Sequence, residues 1–360
     1  MRTTLLSLAI LLAASPLSPA QTHTEAVCAA ATAQPLPTPE LSGPLSPAQL
    51  PTCDDLALYY GFSTPPHYPA ALQCGWYHHA HPQSTIADMF YGEGVLTMLY
   101  ANGFAVPKDT RLAIRLACQN PWAAPAETEG RVARLETLAT SNDKTAKFDL
   151  CDDITSGLSM GICASIRSSV AEAARIKKLE AISGKLPVDN RPALHTLQAA
   201  EHAFEQARTA NEVDLSGTAR ATFQFEEQTK LGDQFLINLQ RFRTRDIPPA
   251  SSAELAALEA RLNTTYQQVL ALPPSVWQDG TIKPPGIRTT QQTWQALTQA
   301  WLNFARLAYP DLSPDRIQAQ LIRLRLRQLR TLSNRLRPTT PPHAATQRPQ
   351  TPPADADPEH

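Results

Sequence analysis

The sequence predicts an all-α protein, and three observations predict it. Gly is scarce, at 14 of 360 residues, and the 32 Pro gather in connections and near the C-terminus. Ala, Leu, Gln and Arg, all good helix formers, are abundant. Apolar residues recur at steps of three and four between about residues 51 and 336, the spacing of one helical face. The expected architecture is stacked helical hairpins followed by two antiparallel helical modules, with Pro-rich linkers and disordered termini.

Residues 1–20 read as a secretory signal. Arg2 supplies the positive start, Leu5 to Ala14 the apolar stretch, and Ser18-Pro19-Ala20 a small-residue cleavage site before Gln21. The apolar stretch is too short to span a bilayer as a helix, and no later stretch is long enough either. Cys28 lies too far downstream to carry a lipid anchor. The expectation is cleavage near Ala20 and a periplasmic or secreted chain with no membrane span. Losing Arg2 takes Lys+Arg from 32 to 31 against 33 Asp+Glu, a charge near −2. That balance gives no general reason to expect a nucleic-acid partner.

Residues 21–50 mix Ala, Pro, Thr and Ser with few large apolar groups, the composition of a flexible leader. Residues 338–360 read likewise as a disordered tail. The first folded part spans 51–140. Leu56, Tyr59 and Tyr60 lead to Gly61-Phe62, a Pro-rich turn, then Ala70, Ala71 and Cys74. The pattern recurs as Leu96, Leu99, Tyr100, then Gly103-Phe104, Val106-Pro107-Lys108-Asp109, and Ala113 to Cys118. Each copy is a helix, a turn punctuated by Gly and Pro, and a second helix with a small side for close packing. A period near 40 implies two hairpins stacked on one another.

The second part spans 150–243. A long helix is expected through Arg167, Val170, Ala174 and Leu179 to Ile182. Leu197, Glu201, Phe204 and Arg208 then fall at helical spacing, as do Phe223, Leu231, Phe235 and Leu239. The third part spans 251–336. Ser251 and Glu254 can form a capping box, and Leu255, Leu258, Leu262, Tyr266 and Val269 mark one face. Ile287, Gln291, Trp294, Leu297, Trp301 and Phe304 mark the next helix. Ser313-Pro314 starts the last one, with Ile317, Leu321, Leu324 and Leu332.

All six cysteines, Cys28, Cys53, Cys74, Cys118, Cys151 and Cys163, lie before residue 164. An even count in an exported chain implies three disulfides, and no CxxC pair suggests zinc or a thioredoxin-like site. Cys53–Cys74 would join the two helices of one hairpin and leave Cys28–Cys118. Cys74–Cys118 is the competing assignment. The C-terminal half must hold together by helix packing alone.

Tyr100-Ala-Asn-Gly103-Phe-Ala-Val106-Pro-Lys-Asp109, followed by Ala113, resembles the turn of Sel-like repeats, relatives of the tetratricopeptide repeat. The earlier copy has His67 where an aspartate is expected. The resemblance implies a protein-binding scaffold without chemistry. The second and third parts resemble two copies of the LprI lysozyme-inhibitor-like module. The second part carries Cys151, Thr155, Met160, Cys163-Ala164, Leu197, Glu201, Phe204 and Arg208. The third carries Gly286-Ile-Arg288, Gln291 or Gln292, Trp294, Ala300-Trp301, Phe304, Tyr309-Pro310 and the helix from Leu321 to Leu329. Glu201 and Phe204 stand where that family tends to have Gln and Trp, and Thr298-Gln299 replaces an Arg-Asp pair. The family's later cysteine pair is missing.

The LprI resemblance implies a local Cys151–Cys163 disulfide. A continuous helix would hold those Cα atoms about 18 Å apart, whereas a bridge needs them within about 7 Å. Cys151 must then fold back on the helix start, with Gly157 or Gly161 allowing the bend. The resemblance also implies inhibition of a cell-wall hydrolase. Lysozymes are commonly cationic, so an acidic docking face of Glu201, Glu205, Glu212 and Asp214 is the candidate partner-binding site, against the plainer reading of a solvated surface. Arg288, Trp294, Trp301, Phe304 and Tyr309 are expected to be structural. Two partner classes stay open: a lysozyme-like hydrolase, or another envelope protein held by the Sel-like hairpins.

Chemistry finds little support. His78, His79 and His81 could take a metal, but no Cys or carboxylate stands at ligand spacing nearby, and solvent-exposed His is the plainer reading. Asp152-Asp153 point to different sides of a helix and suit a cap. No G-x-S-x-G, H-E-x-x-H or Gly-rich phosphate loop occurs. The chain is therefore expected to be non-enzymatic, with no cofactor or metal. In the last helix Arg316, Arg323, Arg325, Arg327, Arg330, Arg335 and Arg337 are expected to pack their stems with guanidinium groups outward.

Overall fold

The computed structural model describes residues 19–38, 43–82 and 90–337. The expected signal segment up to residue 18 and the expected tail 338–360 lie outside the described residues. Among these there are twelve α-helices and no strand. The all-α class is thus what the chain adopts. No described helix is long and apolar enough to cross a membrane.

The chain divides into two compact units, each built from two stretches of sequence. The first comprises residues up to Lys185 together with Leu215–Leu236. Its hairpins are α2 (Asp55–Tyr60) with α3 (Tyr68–Ala80), and α4 (Glu93–Asn102) with α5 (Thr110–Gln119). They are copies in atomic detail. Gly61 and Gly103 end α2 and α4 with φ of 77° and 68°, a left-handed cap that glycine adopts without strain. His67 N–H donates to the Leu58 carbonyl at 2.8 Å, and Asp109 N–H to the Tyr100 carbonyl at 2.9 Å. Asp109 caps α5 by accepting from Leu112 N–H at 3.0 Å. In the earlier copy, where aspartate is missing, His67 Nδ1 accepts from Ala70 N–H at 3.2 Å. An imidazole nitrogen therefore does the carboxylate's capping work. Leu96, Leu99, Leu116 and Val132 are fully buried between these helices and α6 (Pro125–Thr140).

The expected flexible leader does not hold for its first half. Pro19–Thr32 forms α1, packed on α5 and α6, and the Cys28–Cys118 disulfide fastens it there. Val27, Ala31 and Leu36 pack against the core of the hairpins. Too poor in large apolar groups to build a core, the segment uses one its neighbours supply. Further on, the Gln73 amide holds both backbone groups of Leu45, at 2.8 and 2.9 Å.

The other disulfides are Cys53–Cys74 and Cys151–Cys163. Cys74–Cys118 is therefore not formed. Cys151 sits in a 3₁₀ turn, Leu150–Asp152, and the chain folds back before α7 (Gly157–Ser183), bringing the Cα atoms to 5.6 Å. The bend lies in residues 153–156, and neither glycine makes it. Gly157 and Gly161 belong to α7 itself, where a Cβ would meet the Thr218 and Ala221 side chains at 2.7 and 2.8 Å. They let the start of α9 (Arg220–Thr244) come close. Glu127 of α6 ties the same corner: its carboxylate accepts from the N–H groups of Thr155 and Ser156 and from the Ser159 hydroxyl, at 2.9–3.0 Å. Burial opposes its charge, but those donors hold its pKa below the ordinary value.

The second unit comprises Leu186–Asp214 and the chain from Ile237 onward. It holds α8 (Arg191–Asn211), the end of α9, α10 (Ser252–Leu270), α11 (Pro284–Ala308) and α12 (Pro314–Leu336). The expected modules 150–243 and 251–336 are not the division seen, because α8 packs antiparallel against α11. All six apolar-face residues expected in α11 are buried. Trp301 meets Phe242 edge-on, with ring centroids 4.9 Å apart, and neighbours Phe304 at 6.4 Å. The Ser251–Glu254 capping box forms as expected. Ser313 sits at the α12 N-cap with Pro314 next, but its side chain makes no capping bond.

Gly161→Val should destabilise the first unit by about 1–3 kcal/mol through overpacking against Ala221. Urea unfolding followed by circular dichroism checks this, and an unchanged midpoint would rule out close packing as the reason for glycine there.

Candidate functional site

The four acidic residues do not make a face. Glu201 and Glu212 are buried, at 9% and 2% exposure, Glu205 is half-buried, and Asp214 is exposed. The spacing itself explains this: Leu197, Glu201, Phe204, Arg208 and Glu212 follow one another by three or four along α8, so the two carboxylates lie on its buried stripe. Glu212 is gripped by both neighbouring guanidinium groups. Arg325 reaches it in bidentate fashion, at 2.5 and 2.8 Å, and Arg208 at 2.6 Å. Gln291 accepts from Arg325 Nε at 3.0 Å, and the Phe204 ring lies under the guanidinium at 5.8 Å. Asp214 accepts from Thr281 N–H at 3.2 Å and braces the turn at Gly280.

This also corrects the expectation for the basic helix. Arg325 is fully buried with its guanidinium inward, while Arg327, Arg330, Arg335 and Arg337 are exposed and Arg316 and Arg323 half-buried. Arg316 donates to the Ile247 carbonyl. Of the residues expected to be structural, Trp294, Trp301, Phe304 and Tyr309 are buried and Arg288 is exposed on α11.

Two concave features lie in the first unit. The larger is a groove of about 950 Å³ between α1, the Gln34–Pro37 segment and α5. Val27, Leu36, Leu112 and Ile114 give it an apolar floor, with Arg111 and Arg115 one turn apart along α5. Nε and Nη1 of Arg115 are buried without a hydrogen-bond partner among the described residues. Buried guanidinium nitrogens in that state favour an anionic or carbonyl oxygen. The sequence analysis does not single out Arg111 and Arg115, because the other wall of the groove, α1, falls largely in the segment expected to be a flexible leader.

The smaller is a pocket of about 290 Å³ beside the Cys53–Cys74 disulfide, lined also by His78, His81, Tyr91 and Glu93. His81 is exposed, as expected of this cluster, but His78 and His79 are not. His79 Nδ1 bonds Glu93 at 2.8 Å, and His78 Nδ1 lies 3.3 Å from Asp55. Both carboxylates come from distant positions in the chain, which is why spacing along the sequence missed them. Asp55 is fully buried and accepts from Gly92 N–H at 2.8 Å. Burial raises its pKa against the opposing pull of His78 and that N–H. Asp152 is exposed and pairs, with Asp153, to Arg134, so the two aspartates brace the turn before α7 and do not cap it; Ser156 does, accepting from Ser159 N–H.

In comparisons with known proteins, no family model matches the chain, no curated protein matches it, and no solved structure matches it.

Replacing Glu212 with Gln should cost about 3–5 kcal/mol, because it removes the carboxylate that two buried guanidinium groups share, and Arg325→Leu should cost less, because Arg208 still meets Glu212. In denaturant unfolding the Glu212→Gln, Arg325→Leu double variant should lose less than the sum of the two single losses, and simple additivity would refute a coupled pair. Glu201 gives a second handle. Burial, and after it the Glu205 charge, push its pKa up to about 8 from 4.5. The folded state then holds a proton that the unfolded state releases, so stability is full below about pH 4.5 and falls as pH rises to about 8. Glu201→Gln should flatten the pH dependence of thermal unfolding in that window; an unchanged profile would exclude Glu201 as its source.

Proposed function

We propose that this is an exported protein that works by holding another protein, and that the groove along α1 and α5 is where it does so. The carrying observation is the pairing of an apolar floor with the two buried, unpartnered nitrogens of Arg115. A partner segment with an apolar side chain for Val27, Leu36 and Leu112 and a carboxylate for Arg115 would satisfy both. Helical-hairpin stacks commonly present such a surface, and a preformed groove spares the host the ordering cost of binding. This corresponds to the scaffold reading implied by the Sel-like resemblance. The three disulfides and the lack of a membrane-crossing helix among the described residues are compatible with a place outside the cytoplasm. The hydrolase-inhibitor reading loses its acidic face, since Glu201 and Glu212 point inward.

The test places a photo-crosslinking residue at Leu112 in the purified, oxidised chain and exposes it to an envelope extract. One discrete protein adduct is expected. Adding Arg115→Glu should lower its yield at least ten-fold, and Arg330→Glu, on the second unit, should not. Adduct formation indifferent to Arg115 would defeat the groove reading. Stoichiometric inhibition of a c-type lysozyme, relieved by Glu205→Lys and Asp214→Lys, would instead establish the inhibitor.

A further inference from the structure

The Cys53–Cys74 disulfide differs from the other two in its surroundings. Both of its sulfurs and one ring nitrogen of His78 lie within 4.8 Å of one another, and among the described residues no other disulfide has a histidine so placed. His78 Nδ1 lies 3.3 Å from Asp55, which offers it a counter-charge and is itself fully buried and fixed by Gly92 N–H at 2.8 Å. The second oxygen of Asp55, Oδ1, is buried without a hydrogen-bond partner. Such a carboxylate is costly for stability alone, and its interaction with His78 fixes the ring's orientation. The two sulfurs are also unequal. Cys53 is half-buried and lines the pocket, whereas Cys74 is fully buried.

We propose that Cys53–Cys74 is a thiol–disulfide exchange site, with His78 as its catalytic proton donor and Asp55 as the positioning residue. The co-reactant is a small thiol of cysteine size, which the 290 Å³ pocket can admit. Its thiolate attacks Cys53 Sγ, the sulfur of the cysteine that lines the pocket. The new sulfur–sulfur bond forms as the Cys53–Cys74 bond breaks, and the electron pair leaves on Cys74 Sγ. A buried thiolate without a counter-charge is a poor leaving group. The protonated imidazole of His78 removes that obstacle by giving its proton to Cys74, and regains one from solvent, which took up the small thiol's proton when its thiolate formed. The products are a mixed disulfide on Cys53 and a thiol at Cys74. Attack by Cys74 on the mixed disulfide reverses the step and expels the small thiol. Reactive sulfur sites generally depend on such an adjacent imidazole. The Cys28–Cys118 and Cys151–Cys163 bridges lack one and remain structural.

The oxidised full chain is treated with excess cysteine, quenched by alkylation at intervals, and mapped by peptide mass spectrometry. Cys53–Cys74 should open at least ten-fold faster than either other bridge, with the cysteine adduct on Cys53 and the alkyl group on Cys74. His78→Asn and His78→Gln should slow that opening at least ten-fold, and imidazole added to the solution should restore it. The unreacted bridges report folding within the same molecules, since a loosened variant opens all three faster. Comparable rates at the three disulfides, an adduct on Cys74, or full speed in both folded His78 variants would overturn the proposal.

Discussion

Glu212 is the point on which the second unit turns. A carboxylate at 2% exposure is tolerable only if its charge is met in place. Meeting it requires Arg208 from one turn earlier in α8 and Arg325 from α12, 113 residues further on. That requirement fixes the register of α12 against α8, and Gln291 extends it to α11. Leucine contacts alone would allow neighbouring registers at little difference in energy, because one apolar stripe resembles the next. A bidentate guanidinium–carboxylate contact has one geometry. Around it the unit can be filled by ordinary packing, with Trp301 meeting Phe242 and Phe304 edge-on.

The first unit is specified differently. Its hairpins are short and its turns are identical in their bonding, so the repeat is held by caps: Gly61 and Gly103, His67 and Asp109. Disulfides then fasten what two repeats alone hold weakly. Cys53–Cys74 closes one hairpin, Cys28–Cys118 draws α1 onto the stack, and Cys151–Cys163 folds the chain back before α7. The second unit has no cysteine and relies on length of helix and buried charge.

Features that depend on near neighbours were legible in the sequence. The left-handed glycines, the Ser251–Glu254 box and the apolar face of α11 each announce themselves within a few residues. The cysteine pairs were legible only in part: Cys74–Cys118 competed with Cys53–Cys74, and the local Cys151–Cys163 bridge was implied by the LprI resemblance alone. Features that borrow from distant chain were not. Nothing in Pro19–Thr32 shows that a core waits for it. Arg325 sits in a run of alternating Leu and Arg, where no local property separates the buried guanidinium from Arg327 beside it. The burial of Glu201 and Glu212 was readable from their spacing with Leu197 and Phe204, but charge suggested a surface. Asp55 became a site residue only when folding placed it under His78.

The interleaving of the two units has a consequence for how this chain can be divided. Each unit is made of two stretches, with Leu186–Asp214 lent to one and Leu215–Leu236 to the other. A cut after Leu236 keeps every segment of the first unit in one fragment, and a cut after Lys185 does the same for the second, but each such fragment carries a stretch of the other unit and leaves its companion incomplete. The units cannot have been joined by simple end-to-end fusion of their present segments. For the laboratory, 1–236 and 186–360 are the pieces that hold all of the first and all of the second unit, each with a passenger stretch, and no single truncation separates both cleanly.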